Sequence, residues 1–112
     1  MDSTQRKGIN FDLDTAALKR YYPGGDWHNA YYDVRQYFEN HDFEHIQGSG
    51  YHSVKAMSEA KAMAVIYQMT KQFPWLNYCV SVCTIADVPV LYDITHVFEK
   101  EAARLEDKNI SK

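Results

Sequence analysis

Asp42-Phe43-Glu44-His45-Ile46-Gln47-Gly48-Ser49-Gly50-Tyr51-His52-Ser53-Val54 decides the fold. Residues 42–47 read as one extended segment and residues 51–54 as a second, with Gly48-Ser49-Gly50 as a tight connection. Two strands that follow each other so directly form a hairpin. Both flanks of the hairpin read as helix. Before it, Trp27, Ala30, Tyr31, Val34, Tyr37 and Phe38 recur at steps of three and four, which is one face of a helix. That helix follows the turn Pro23-Gly24-Gly25-Asp26, takes Asp26 as its N-cap and ends near Asn40-His41. After the hairpin, residues 56–73 are dense in Ala and Met, and Pro74 stops the run. Further out, residues 8–12 form a short strand. Residues 76–85 alternate Tyr78, Val80, Val82 and Thr84 with Cys79, Ser81, Cys83 and Ile85, a strand buried on at least one side.

The order is therefore strand, helix, strand, strand, helix, strand. It predicts an α+β domain of the ferredoxin-like βαββαβ type, with two helices on one face of a four-stranded antiparallel sheet. The open face of such a sheet needs a cover, and dimerisation supplies one. Residues 8–86 make up this domain, and the polar residues 1–7 are expected to be disordered. Residues 87–112 carry a C-terminal amphipathic helix, marked by Leu91, Ile94, Val97, Phe98, Ala102 and Leu105, and a polar tail.

Composition narrows the function classes. A chain of 112 residues, 46% hydrophobic and 24% charged, is one globular domain with a single two-layer core. Its apolar runs are too short to span a membrane. Met1-Asp2-Ser3-Thr4-Gln5-Arg6-Lys7 has no apolar stretch of the secretory kind, so a cytoplasmic location is expected. Cys79 and Cys83 have no neighbouring metal-ligand pair and read as buried thiols. The net charge of −3 is not that of a protein that neutralises many phosphates. Nucleic-acid work here needs a local patch, a metal, or a surface built from two subunits.

Chemistry concentrates in Ile9-Asn10-Phe11-Asp12-Leu13-Asp14-Thr15, a strand ending in carboxylates. Two such acids can hold a divalent metal or move a proton beside a phosphate. Phe11-Asp12-Leu13-Asp14 is similar to the opening of a haloacid dehalogenase-type phosphatase, where the first Asp is the nucleophile and the second a general acid. Such an enzyme needs a larger parallel sheet, a distant Lys and acids on later strands, and about four strands are present here.

A second resemblance covers most of the chain. Phe11-Asp12-Leu13-Asp14-Thr15, Tyr22-Pro23-Gly24, Asn29-Ala30-Tyr31, Asp33-Val34-Arg35, Phe43, Gln47-Gly48-Ser49, Tyr51 and Phe73-Pro74-Trp75 occur in the order and spacing of the virulence-associated protein D (VapD) family. The resemblance implies a small ribonuclease of ferredoxin-like fold, related in shape to CRISPR-associated nucleases whose two subunits bring a first-strand Asp each to a shared cleft. It implies RNA as substrate, a homodimer or higher homo-oligomer, and a small antitoxin protein as partner if the chain is a toxin. Carried over, Asp12 is the leading catalytic residue, acting through Mg²⁺ or with no cofactor. Its alternative role is a structural acid that caps the turn. Asp14 is an accessory candidate or an Asx-turn residue.

Ser49 could hold the scissile phosphate or serve only the hairpin backbone. Tyr51 could stack a base or pair across strands. Lys19, Arg20, Arg35 and Lys55 are candidates for RNA phosphates, or solvated surface charges. Outside the resemblance, His45 and His52 on the two hairpin strands could act as acid and base on a ribose 2′-hydroxyl. The competing function is a non-catalytic dimeric ferredoxin-like binding module, favoured by the uncharged residues 78–85. It expects Asp12 tied into its own turn and an apolar pocket on the sheet. The nuclease expects Asp12 in a cleft facing its twin or a basic group.

Overall fold

Alternation in Lys7–Leu13 sends Ile9 and Phe11 to one side and Asn10 and Asp12 to the other, and this strand is the second from the edge in the sheet. A computed structural model of the chain describes residues 5–110; the disorder expected of residues 1–4, and the last two residues of the tail, lie outside the described residues. The elements are β1 (Lys7–Leu13), α1 (Thr15–Tyr21), α2 (Asn29–Asn40), β2 (Phe43–Gln47), β3 (Gly50–Ser53), α3 (Glu59–Gln72), a 3₁₀ turn (Pro74–Tyr78), β4 (Val80–Asp87) and α4 (Thr95–Ile110). The strands lie in the order β2-β3-β1-β4, each antiparallel to its neighbours. The α+β, ferredoxin-like architecture is thus the one that the element order predicts.

Ile9 and Phe11 of β1 meet Val34 and Phe38 of α2, Phe43 of β2, Tyr51 of β3 and Val65 and Met69 of α3 in one core. Phe38 is fully buried at its centre, edge-on to Phe11 and Phe43 with ring centroids 5.6 Å away in each case, and 4.4 Å from Tyr51. The buried Tyr37 hydroxyl donates to the carbonyl of Val65 at 2.6 Å, which ties α2 to α3 and leaves no polar atom stranded between them. A smaller core of Leu18, Ala30 and Cys79 seats α1 against α2 and the start of β4.

Several boundaries differ from the sequence reading, each for a local reason. The sheet begins at Lys7, so residues 6 and 7 are ordered. The Lys7 backbone N–H donates to Ser53 Oγ at 2.8 Å, its buried Nζ pairs with Asp87 at 2.6 Å, and Arg6 Nε donates to the Ser53 carbonyl at 2.7 Å. Helix α1 was not foreseen; at seven residues it is too short to show a period, and the Asp14 side chain caps it by accepting from the Ala16 N–H at 3.0 Å. Helix α2 starts at Asn29 because Asp26 caps a preceding turn instead, accepting from the His28 N–H at 3.0 Å. Residues 76–78 belong to the 3₁₀ turn that follows Pro74, so β4 starts only at Val80. Cys79 is buried and free, whereas Cys83 is free but exposed, contrary to the expectation of two buried thiols.

The C-terminal helix exists, but covers none of its own sheet. Its described side chains are exposed, and the radius of gyration is 21.1 Å where a compact domain of this length has about 13 Å.

Candidate active site

Two irregularities at the same end of the sheet build the site. The β1–β4 register shifts between Asp12 and Leu13: Asp12 stands opposite Val82, Leu13 opposite Val80, and Ser81 is left over. Such a bulge twists the strand and re-aims the side chain beside it. The Ser81 hydroxyl donates to the Asp12 carbonyl at 3.2 Å and anchors the kink. The β2–β3 register also shifts, between His45 and Gln47, and Gly48 turns the hairpin with φ +53°. The hairpin tip then lies against β1. The Phe11 N–H donates to the Ser49 carbonyl at 2.8 Å, and the Ser49 hydroxyl donates to the Asn10 side-chain oxygen.

Asp12 and Ser49, far apart in the chain, consequently line one cleft of about 320 Å³, together with Leu13, Tyr31, Gly48 and Tyr51. The Asp12 side chain is exposed and its carboxylate has no hydrogen bond or ion pair among the described residues. The acid that is tied into its own turn is Asp14, as the cap of α1. Asp14 does not line the cleft.

Tyr51 lines the cleft but is almost wholly buried. It is 5% exposed and packs on Phe38, so its face is not open to a base, and burial pushes its hydroxyl pKa up. Of the four candidate phosphate contacts, Arg35 alone lines this region, in an adjoining cleft of about 390 Å³ with Tyr31, Tyr32, His45, Gly48 and Tyr51. Lys19 and Arg20 sit on α1 over the Trp27 and Tyr21 rings, and Lys55 lines neither cleft. His45 stands opposite Tyr51 in the register and His52 opposite Gly8 and Glu44. The two histidines therefore point to opposite faces of the sheet and cannot work as an acid–base pair. His45 is also held to the Gly48 carbonyl at 2.7 Å.

Asn10 stands beside the cleft without lining it, and sequence reading passed it over. It shares the exposed face of β1 with Asp12 and accepts from Ser49. The alternation of Ile9-Asn10-Phe11-Asp12 was a signal that could have found it. Tyr22 and Asp33, two of the matched motif residues, have a structural part: the Tyr22 hydroxyl donates to the Asp33 carboxylate at 2.7 Å, which joins the end of α1 to α2. Gly24 is required there, since a Cβ would come within 2.5 Å of the Tyr22 ring.

Among the described residues no three His, Cys, Asp or Glu side chains cluster as metal ligands, and Asp12 is the single carboxylate among the residues that line its cleft. One carboxylate fits Mg²⁺ where substrate phosphates and water supply the other oxygens. An apolar pocket of about 240 Å³ also exists, between α3 and β4, lined by Ile66, Met69, Leu76, Val80 and Cys83. No helix among the described residues is long and apolar enough to cross a membrane.

No protein-family model matches the chain. Two characterised proteins resemble it. Endoribonuclease VapD 2 of Riemerella anatipestifer is 32% identical over 72 residues, which span 64% of this chain and 77% of that protein. The Endoribonuclease VapD homolog of Helicobacter pylori (strain ATCC 700392 / 26695) is 31% identical over 72 residues, 64% of this chain and 74% of that protein.

Proposed function

Because the chain belongs to the VapD endoribonuclease family, we propose that it cleaves RNA at phosphodiester bonds, with Asp12 at the centre of the site. The observation that carries this reading is the partnerless Asp12 carboxylate in a cleft beside Ser49. A carboxylate that merely held a turn would be engaged, as Asp14 is.

Asp12 has two ways to act. It can take the proton from a ribose 2′-hydroxyl or a water that attacks the phosphorus. It can instead help to hold Mg²⁺, which when bound would neutralise phosphoryl charge and activate water. In either case Ser49 and Asn10 position the phosphate: the Ser49 hydroxyl donates to the Asn10 side-chain oxygen, which leaves the Asn10 amide N–H groups as the donors for the phosphate oxygens. Their mutual hydrogen bond fixes both before substrate arrives.

The enzyme works as a homodimer or larger homo-oligomer, with RNA as substrate and the cytoplasm as its place of action. The exposed apolar side chains of the C-terminal segment support assembly: Leu91 and Phe98 are 86% and 73% exposed. A toxin role, with a small antitoxin as partner, is consistent with this surface. The binding-module reading draws on the same surface and on the apolar pocket by α3, but leaves the open Asp12 cleft unexplained.

The test is cleavage of a structured RNA, followed on a gel, by the parent and by Asp12→Asn, with and without EDTA. Cleavage by the parent alone is expected. Loss of that cleavage in EDTA assigns Mg²⁺ to Asp12, and its persistence assigns proton transfer. No cleavage by the parent under any condition would transfer the weight to the binding module.

A further inference from the structure

The two adjoining clefts share Tyr31, Gly48 and Tyr51, so they form one groove with Asp12 at one end and Arg35 at the other. We infer that the Arg35 end is a subsite for an unpaired nucleobase next to the scissile phosphate, with Tyr31 and Tyr32 as its stacking surface. The inference rests on the ribonuclease reading and names the form of RNA that the site takes.

Helix geometry supplies the surface. Tyr31 and Arg35 are four residues apart and Tyr32 and Arg35 three apart, so each tyrosine side chain neighbours that of Arg35 on α2. Tyr31 flanks the face that Ala30, Val34, Tyr37 and Phe38 bury, and Arg35 and Tyr32 follow it towards the outer side of the helix. Tyr31 and Tyr32 line the second cleft and stay 44% and 64% exposed. Buried Tyr51 forms the floor, and His45, held by the Gly48 carbonyl and tilted on Tyr51 with ring centroids 5.1 Å apart, forms the far wall. Walls that are held in this way leave the α2 tyrosines as the open aromatic faces.

Charge agrees with this assignment. Arg35 is the cation of the second cleft, and among the described residues its one hydrogen-bonded partner is Glu39 at 3.3 Å, a surface pair in which both side chains are exposed. Such a pair holds weakly and can yield to a phosphate. Aromatic faces with a cation beside them suit any base, provided that it is unstacked. A duplex offers no free base face, so the subsite selects single-stranded segments. A chain of net charge −3 can in this way take RNA through stacking and one local cation, without a broad basic surface.

The test uses binding, so that it is separate from cleavage. Asp12→Asn protein is titrated against a labelled single-stranded RNA and followed by fluorescence anisotropy, alone and combined with Tyr31→Ala, Tyr31→Phe, Tyr32→Ala or Arg35→Ala. Each Tyr→Ala change should weaken binding by about 5- to 150-fold, and Tyr31→Phe should retain it. Arg35→Ala should lower the salt slope by about 1. A duplex of the same sequence should bind more weakly and ignore the Tyr changes. Unchanged single-strand affinity in both Tyr→Ala proteins would overturn the subsite, while cleavage by the parent, measured separately, upholds the ribonuclease reading. Binding by none of the proteins, with no cleavage by the parent, would overturn both. Exposed tyrosines can be removed without unfolding the core, which circular dichroism verifies.

Discussion

At the scale of single residues, two acids two positions apart have opposite fates. Asp12 opens into a cleft and Asp14 caps a helix. The sequence could offer both roles to both residues, because which one is satisfied depends on a bulge opposite Asp12 and on the unforeseen α1. Tyr22 shows how a motif residue can matter without touching substrate. The hydrogen bond to Asp33, together with burial, pushes its pKa from 10.0 up to about 12. Its neutral form is thus favoured in the folded state. The stability it adds is complete below pH 10 and is lost as pH rises from 10 through about 12. Urea midpoints measured across that window should fall more steeply for the parent than for Tyr22→Phe. The other tyrosines are common to both proteins, so the difference curve isolates Tyr22.

At the scale of elements, the hairpin is the part that delivers Ser49 to β1, and Gly48 is its pivot. Its φ of +53° lies where a Cβ is strained, although open space surrounds it. Gly48→Ala should therefore cost about 1–2 kcal/mol by conformation alone. Gly48→Asn should cost less, since Asn tolerates this region. Urea denaturation of the three proteins checks both. Much at this scale was legible: the four strands, the two packed helices and the C-terminal helix all follow from periodicity and turn residues. The missed pieces, α1 and the 3₁₀ turn, are short and carry no period. The start of β4 was misplaced because Trp75 and Leu76 face the core whether the backbone is extended or turned. Ser49 entered through the Gln47-Gly48-Ser49 of the family resemblance, between two glycines that a hairpin loop needs in any case. The groove with Tyr31 and Tyr32 was not, since it arises only where α2 and the hairpin meet.

At the scale of the whole molecule, α4 and the irregular segment 88–94 that leads into it are out of balance with the rest. Val90, Leu91, Tyr92, Ile94, Val97, Phe98 and Leu105 are all large, apolar and exposed. A helix of this length is marginal in water without packing, and an apolar stripe of this extent marks a contact surface. The parent should sediment as a dimer or larger species. Phe98→Glu with Leu105→Glu should shift it towards monomer, while the thermal midpoint of the ferredoxin-like body changes little. A monomeric parent would remove assembly from the proposal. The claim on which the functional reading rests is narrower: Asp12, not Asp14, is the acid at the phosphodiester. It is tested by single-turnover cleavage of one structured RNA by the parent, Asp12→Asn and Asp14→Asn, the last of which keeps its cap because Asn caps as well as Asp. Asp12→Asn should lose about 10²–10⁴-fold in rate, and Asp14→Asn should stay within a few-fold of the parent. Equal rates for the parent and Asp12→Asn, or a loss confined to Asp14→Asn, would contradict it.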